Sequence, residues 1–398
     1  MTLRWSSLLA VLFLVLHTVA DAQQPAPPTE DRGPQSVSPE ILRQAIARLG
    51  VLEFAPRMQA ARTVRRAPAA IAVPALVQAV GEHSDGYVRF RALVLLSGFN
   101  DPRALDVMLQ AVADANDRLR EAAYGYFEVH PNPRILPTLI VALEREQSEF
   151  VRPALIRALA AQGTDPKVRQ LLIAEARRGE DFFRSAVIEA LGDYKASYAV
   201  DTLMEIAKLQ GPLQDDAGLA LGKIGDKRAL NSLVELQRTA PRVAQPSIAA
   251  AICLLGVNCS SHQRFVTETL EFAIKNPGFQ DLLRTAAGGL AALAVAGNID
   301  ALMTLFDHGI DSRDPARAAL ALALGTVALR NTKILIAGLE QRADQSTALE
   351  LLHEAFDMLE EHFQEERFYA NVRRMYWEAP AGSYRRKLGN ALITKLEF

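Results

Sequence analysis

Cysteine is almost absent from this 398-residue chain, which has only Cys253 and Cys259. A dense disulfide framework is thereby excluded, and two thiols alone fall short of the three or four protein ligands that zinc takes. Aromatic residues make up 7% and no charge dominates, since 44 Lys+Arg against 46 Asp+Glu leave a net charge of −2. Such a balance supplies no global attraction for nucleic acid or an anionic membrane, so no nucleic-acid partner is expected. Histidines are few, and His83, His130, His262, His308, His353 and His362 include no pair spaced to place two ligands on one helical face. Gly218, Gly222 and Gly225 around Lys223 lack phosphate-loop spacing, and no G-x-S-x-G elbow occurs. The reading is therefore not an enzyme, with no catalytic residue, cofactor or metal. What is abundant is apolar side chain, 49% of the chain, enough for a large core.

Residues 1–22 read as a secretory signal peptide. Arg4 and the α-amine give positive charge, Leu8 to Leu16 form the apolar run, and Ala20-Asp21-Ala22 is the cleavage signature. The run is shorter than a bilayer-spanning helix, so the mature chain, starting near Gln23, is expected to be periplasmic or secreted with no transmembrane segment. Residues 23–39, with five prolines, read as a disordered leader. An oxidising compartment permits a disulfide between Cys253 and Cys259. Six residues are too many for a bridge along one helix, but Gly256 could end the helix and fold Cys259 back; two buried small hydrophobes are the alternative.

From about residue 67 the chain repeats at a spacing near 32. An acid is followed three residues later by Arg, as in Asp117/Arg120, Glu149/Arg152, Asp181/Arg184, Asp281/Arg284 and Asp314/Arg317, with Asp85/Arg89 at spacing four. After each Arg runs an amphipathic helix, then a turn such as Thr164-Asp165-Pro166 or Gly225-Asp226-Lys227, then another helix whose apolar residues recur at three and four. The unit is a pair of antiparallel helices, and because one pair cannot bury its apolar face alone, the units must stack. Gln214 and Gln245 stand where Arg is due, and Arg284 falls 39 residues after Gln245, which marks an irregular unit.

The stretch Ala220-Leu221-Gly222-Lys223-Ile224-Gly225-Asp226-Lys227-Arg228-Ala229-Leu230, with Val88-Arg89, Val151-Arg152 and Asp101-Pro102-Arg103-Ala104-Leu105, resembles the HEAT-repeat family, in particular its short bacterial, phycobilisome-lyase type. The resemblance implies an all-α, right-handed α-solenoid of about eight or nine stacked antiparallel helix pairs, and it says little about activity. Residues 67–345 are assigned to the array. Residues 40–66 are assigned to N-terminal capping helices with Leu42, Ile46, Leu49, Leu52 and Phe54 in the core, and 346–398 to a C-terminal helical cap with a basic-aromatic tail.

In that last segment Thr347 to Glu366 reads as one long acidic helix, after which Arg367, Arg373, Arg374, Arg385, Arg386, Lys387 and Lys395 reverse the charge beside Tyr376 and Trp377. A terminal cap is one reading and a partner surface the other, since Arg, Tyr and Trp anchor interfaces. The same choice applies to Arg89, Arg120, Arg152, Arg184, Arg284 and Arg317, which are either structural ion pairs or a row gripping a partner. The expected function is a non-enzymatic scaffold or adaptor that binds a protein or peptide on a concave face formed by the second, Arg-bearing helices. An enzyme or enzyme-maturation factor built on the same repeats is the alternative; clustered titratable groups facing one pocket would favour it.

Overall fold

The computed structural model describes residues 36–359 and 362–398, and every regular element among them is helical. The signal peptide expected at 1–22 and most of the 23–39 leader lie outside the described residues.

Helices α1 (Pro39–Ala47) and α2 (Phe54–Arg66) open the fold. The Ser38 side chain accepts a hydrogen bond from the Ile41 amide, and Pro39 fills the first helical position, where no amide partner is needed. Leu42, Ile46 and Leu49 are buried, but Leu52 and Phe54 are 92% and 56% exposed and do not belong to the core. Leu52 falls in the connection before α2, and Phe54 occupies the first position of α2, with the Arg57 guanidinium 5.8 Å from its ring.

Nine helix pairs follow. Their first helices are α3 (Ala69–Glu82), α5 (Ala104–Ala111), α7 (Leu136–Arg145), α9 (Pro166–Arg177), α11 (Val200–Lys208), α13 (Leu230–Thr239), α15 (Cys259–Lys275), α17 (Ile299–Asp311) and α19 (Thr332–Gln341). Their second helices are α4 (Gly86–Ser97), α6 (Asp117–Val129), α8 (Arg152–Ala160), α10 (Asp181–Asp193), α12 (Gln214–Ile224), α14 (Gln245–Leu254), α16 (Gln280–Val295), α18 (Ala316–Arg330) and α20 (Gln345–Met358). Each second helix packs closely on the next from α4 to α20, whereas successive first helices touch sparsely or not at all. Crowding on one side and splaying on the other curve the array toward the second helices, which form its inner row. Buried Ala122, Ala123, Ala217 and Ala286 allow this close approach. The chain is thus an α-solenoid of stacked antiparallel pairs.

The irregular unit does not interrupt the inner row, because α12, α14 and α16 pack in sequence. Its extra residues lengthen α15 to 17 residues. Gly256 and Asn258, both with positive φ, turn the chain sharply after α14, so that Cys259 returns to Cys253 with the Cα atoms 4.1 Å apart and the sulfurs joined in a disulfide.

The long acidic helix expected from Thr347 to Glu366 is in fact two helices. α20 ends at Met358, Leu359 is extended, and α21 (His362–Glu378) then α22 (Tyr384–Lys395) complete the chain. Helix α21 packs on α18, α19 and α22 and also reaches across to α4 and α6 at the other end of the array. Among the described residues no single helix is long and apolar enough to cross a membrane; α18 and α19 pass such a test only as a pair, bent by 119°.

Candidate functional site

The Arg row lies at the start of the inner helices, and its first task is to complete the outer ones. The last carbonyls of any helix lack intrahelical donors. Arg89 Nε donates to the Val80 carbonyl, Arg184 Nε to Ala176, and Arg317 Nη1 to Gly309 and Ile310, each at the C-terminal end of the preceding first helix. Arg120 Nη1 does the same for Asp114 and Ala115, just past α5. Gln214 and Gln245, which break the Arg pattern, preserve this bond: their Nε2 atoms donate to Ala207 and Ala240, both at 3.0 Å. Gln345 Nε2 repeats it on Leu339 at 2.7 Å, a rung that the acid-Arg motif does not reveal. Carbonyl capping is thus shared by Arg89, Arg120, Arg184 and Arg317 with the three glutamines, and it needs a long N–H donor rather than a charge; Arg152 and Arg284 are held instead by the Phe183 ring and the Asp281 carboxylate. We expect Arg184→Gln to stay within about 0.5 kcal/mol of the parent while Arg184→Ala loses about 1 kcal/mol. Equal losses on urea unfolding would remove this account.

The carboxylate partners divide between the acid of the same turn and one in the neighbouring unit. Only Arg184 and Arg284 pair with the acid three residues before them, Asp181 and Asp281. Arg120 instead makes a two-pronged contact with Glu146 at 2.7 and 2.8 Å, Arg317 a similar one with Glu354, and Arg89 meets Asp114. The long guanidinium reaches past its own turn to the neighbouring unit. Each hydrogen-bonded arginine holds its carboxyl below the ordinary range at Glu146 and Glu354. Arg152 lies over the Phe183 ring, 3.6 Å from its centre, and 3.9 Å from Glu175. The row is therefore largely engaged within the fold, and Arg284 alone of the six is well exposed, at 71% of its side chain.

The concave face expected to receive a partner is crossed by α21. Glu366 of α21 and Arg65 of α2 form an ion pair in which both side chains are buried, with Arg65 Nε 2.8 Å from one carboxylate oxygen and Nη2 2.7 Å from it. The Tyr369 ring stacks on the same guanidinium at 5.1 Å. Phe363 joins the core of the first half of the array, lying so close to Gly125 of α6 that a Cβ there would sit 3.0 Å from its ring.

Beside this crossing is a polar network that the sequence did not announce. Buried Glu128 of α6 accepts from Arg157 Nε at 2.8 Å, Tyr194 Oη at 3.0 Å and Gln364 Nε2 at 3.0 Å, and Arg330 of α18 approaches it at 3.4 Å. Arg157 and Lys223 both hold Asp193. Burial opposes ionisation of Asp193, yet Lys223, Arg157 and Arg330 together keep its carboxyl below the usual range; burial and Glu128 push the Tyr194 hydroxyl up. Glu128, Arg157, Glu189 and Arg330 line a cavity of about 230 Å³.

Asp215 on the inner row is also perturbed, its carboxyl raised to about 6 by burial and then by Asp216. The unfolded carboxyl titrates near 3.9, so between about pH 4 and 6 the folded chain holds a proton that the unfolded chain has lost, and stability falls as pH rises through that window. Asp215→Asn should flatten this slope and raise stability at pH 7 by on the order of 1 kcal/mol after solvent screening. Parallel urea-midpoint curves for parent and variant between pH 4 and 7 would contradict it.

The C-terminal candidates separate. Tyr376 is fully buried under Arg386 and cannot meet a partner; Arg373 is folded back toward Glu366 at 3.8 Å. Phe368, Tyr369 and Phe398 are likewise core, because the aromatic side chains seal the end of the array. Trp377 is 37% exposed against Arg386. Arg374 is exposed and lines a groove of about 670 Å³ between α21 and the corner of α18 and α19. Lys333 and Arg367 share its walls, and Leu329, Ile336 and Met375 its floor. Arg330 and Arg385 also border it but are occupied, by Glu128 and by a two-pronged bond to Glu340. Lys333 went unnoticed in the sequence because one Lys at a helix start carries no pattern.

Residues 38–126 match the family described as HEAT repeats. No curated protein matches the chain. Among solved structures, YibA of Escherichia coli is 18% identical, covering 56% of this chain and 83% of its own, with a TM-score of 0.40. The complex of CpcE and CpcF of phycocyanin lyase from Nostoc sp. PCC7120 is 21% identical over 58% of this chain and 90% of that one, at 0.35. Importin beta is 14% identical over 89% of this chain and 50% of its own, at 0.37. These are resemblances, and they carry no activity to this chain.

Proposed function

We propose that this α-solenoid, whose residues 38–126 match HEAT repeats, is a non-enzymatic scaffold or adaptor that binds a protein or peptide partner outside the cytoplasm. One observation carries the reading: the curved array keeps an open groove, with charged walls and an apolar floor, on a frame braced by α21. Extended concave surfaces are what such arrays offer to partners. Because α21 covers the inner row at α4 and α6, the partner engages the part that α21 leaves open rather than the whole concave face. Export is supported by the charge, apolar run and small residues of 1–22, and a disulfide between Cys253 and Cys259 suits an oxidising compartment.

The test is cross-linking of the tagged mature protein in its own cell envelope, followed by rebuilding the complex from purified components. A stoichiometric complex that re-forms supports the proposal. A well-folded bait that yields none overturns it in favour of a second reading, an enzyme or enzyme-maturation factor. That reading draws on the cavity lined by Glu128, Arg157, Glu189 and Arg330, where titratable groups do converge.

A further inference from the structure

We propose that the groove between α21 and the α18–α19 corner binds an acidic peptide segment, with carboxylates on Arg367, Arg374 and Lys333 and apolar side chains on Leu329, Ile336 and Met375. The inference rests on the scaffold reading and gives its partner a chemistry. Three features argue for it. The charge there is uncompensated: Lys333 and Arg374 have no partner in the described fold, Arg367 has only a 3.4 Å contact with the Gln364 side-chain carbonyl, and Glu378 is the one acid in the lining. The first turn of α19, at Thr332 and Lys333, adds the positive end of a helix to the same wall.

The second feature is spacing. Arg367 and Arg374 are seven residues apart on one helix, two turns or about 10 Å along its axis. Two carboxylates three residues apart in an extended or polyproline-like peptide span nearly the same distance, at about 3.1 Å per residue. Guanidinium groups also accept carboxylates in a two-pronged manner, which favours Arg over Lys on that wall.

The third feature is shape. The volume, about 670 Å³, lies in the range of ligand-binding clefts, and its apolar floor asks for more than a bare anion. A continuous polyanion such as nucleic acid would run onto Glu378 and would lack a wider basic field, because the whole chain carries −2. A flat lipid surface could not follow a groove that has α21 as one wall. An acidic peptide with interspersed apolar residues satisfies all of these surfaces.

The experiment uses the full mature chain and a fluorescein-labelled peptide with two glutamates three residues apart among leucines, read by anisotropy beside its glutamine counterpart. The acidic peptide should bind, the glutamine peptide should bind at least about 10-fold more weakly, and about 0.5 M salt should weaken the acidic one. Arg367→Glu with Arg374→Glu should reduce binding by at least about 10-fold with an unchanged melting curve, and Arg238→Glu on α13 should not. If the double variant misfolds, exposed Lys333→Glu on the opposite wall should still weaken binding severalfold. Equal binding of the two peptides, or full binding by a folded double variant, overturns the proposal. So does tighter binding of inorganic phosphate, a single-stranded oligonucleotide or an anionic vesicle. A rebuilt protein complex that tolerates the double variant would leave the scaffold standing and remove this groove; peptide binding without any protein complex would do the reverse.

Discussion

Glu366→Ala should cost about 3–5 kcal/mol, because it leaves the Arg65 guanidinium charged, buried and without its partner. Arg65 has no route to water: its side chain is 3% exposed and sits beneath the Tyr369 ring. Burial opposes its charge, yet Glu366 more than offsets this and raises its pKa above the ordinary value, so the guanidinium itself stays charged. Arg65→Met with Glu366→Leu should recover part of the loss, since an apolar pair of similar volume avoids the desolvation cost of those two charges while Arg373 still loses its contact with Glu366. Repeat arrays can unfold in stages, so the measurement is hydrogen exchange resolved by segment, alongside urea unfolding. The expected result is loss of protection in α21, α2 and α4 before the middle of the array. A Glu366→Ala protein within about 0.5 kcal/mol of the parent would show that α21 is held by its apolar contacts alone.

That pair also marks where the sequence stops being informative. The repeat unit was readable because its information is local: an acid, an Arg three residues on, small residues at helical spacing and a turn, all within about 32 residues. Stacking then follows from the exposed apolar face of every unit. Closure of the array has no such signature. Arg65 and Glu366 are 301 positions apart, and in sequence Glu366 is one more acid in an apparently continuous acidic helix. The break at Leu359 turns α21 back across the inner row, and neither Pro nor Gly marks it. The Arg row was legible as a pattern but not as a function, since its carbonyl partners emerge only when the helix ends are placed. Gln214 and Gln245 looked like gaps, and the fold shows them making the same bond with a neutral donor. Tyr376 failed as an interface residue for a related reason: composition cannot separate an aromatic side chain that seals a core from one that faces a partner.

At the centre of the array, Gly222→Ala and Gly288→Ala should have opposite signs, although both replace a helical glycine by the best helix former. Propensity alone favours alanine by about 1 kcal/mol at either position. At Gly288 nothing lies within 4 Å of the added carbon and the site is exposed, so that gain should appear as a small stabilisation. At Gly222 the added carbon would lie 2.3 Å from Ala251 Cα and 2.8 Å from the Ala251 carbonyl oxygen, both backbone atoms of α14 that no side-chain rotation can move. Helices α12 and α14 must therefore separate, at about 1–3 kcal/mol for alanine and more for leucine. Because every unit is stabilised by its neighbours, the separation exposes Leu221 and Ile248 on both sides of the seam and should divide one cooperative array into two. Urea unfolding of Gly222→Leu is expected to show two transitions where the parent shows one. A single transition at the parental midpoint would mean that the inner row does not transmit stability through this contact, and that the bracing of the array rests on α21 instead.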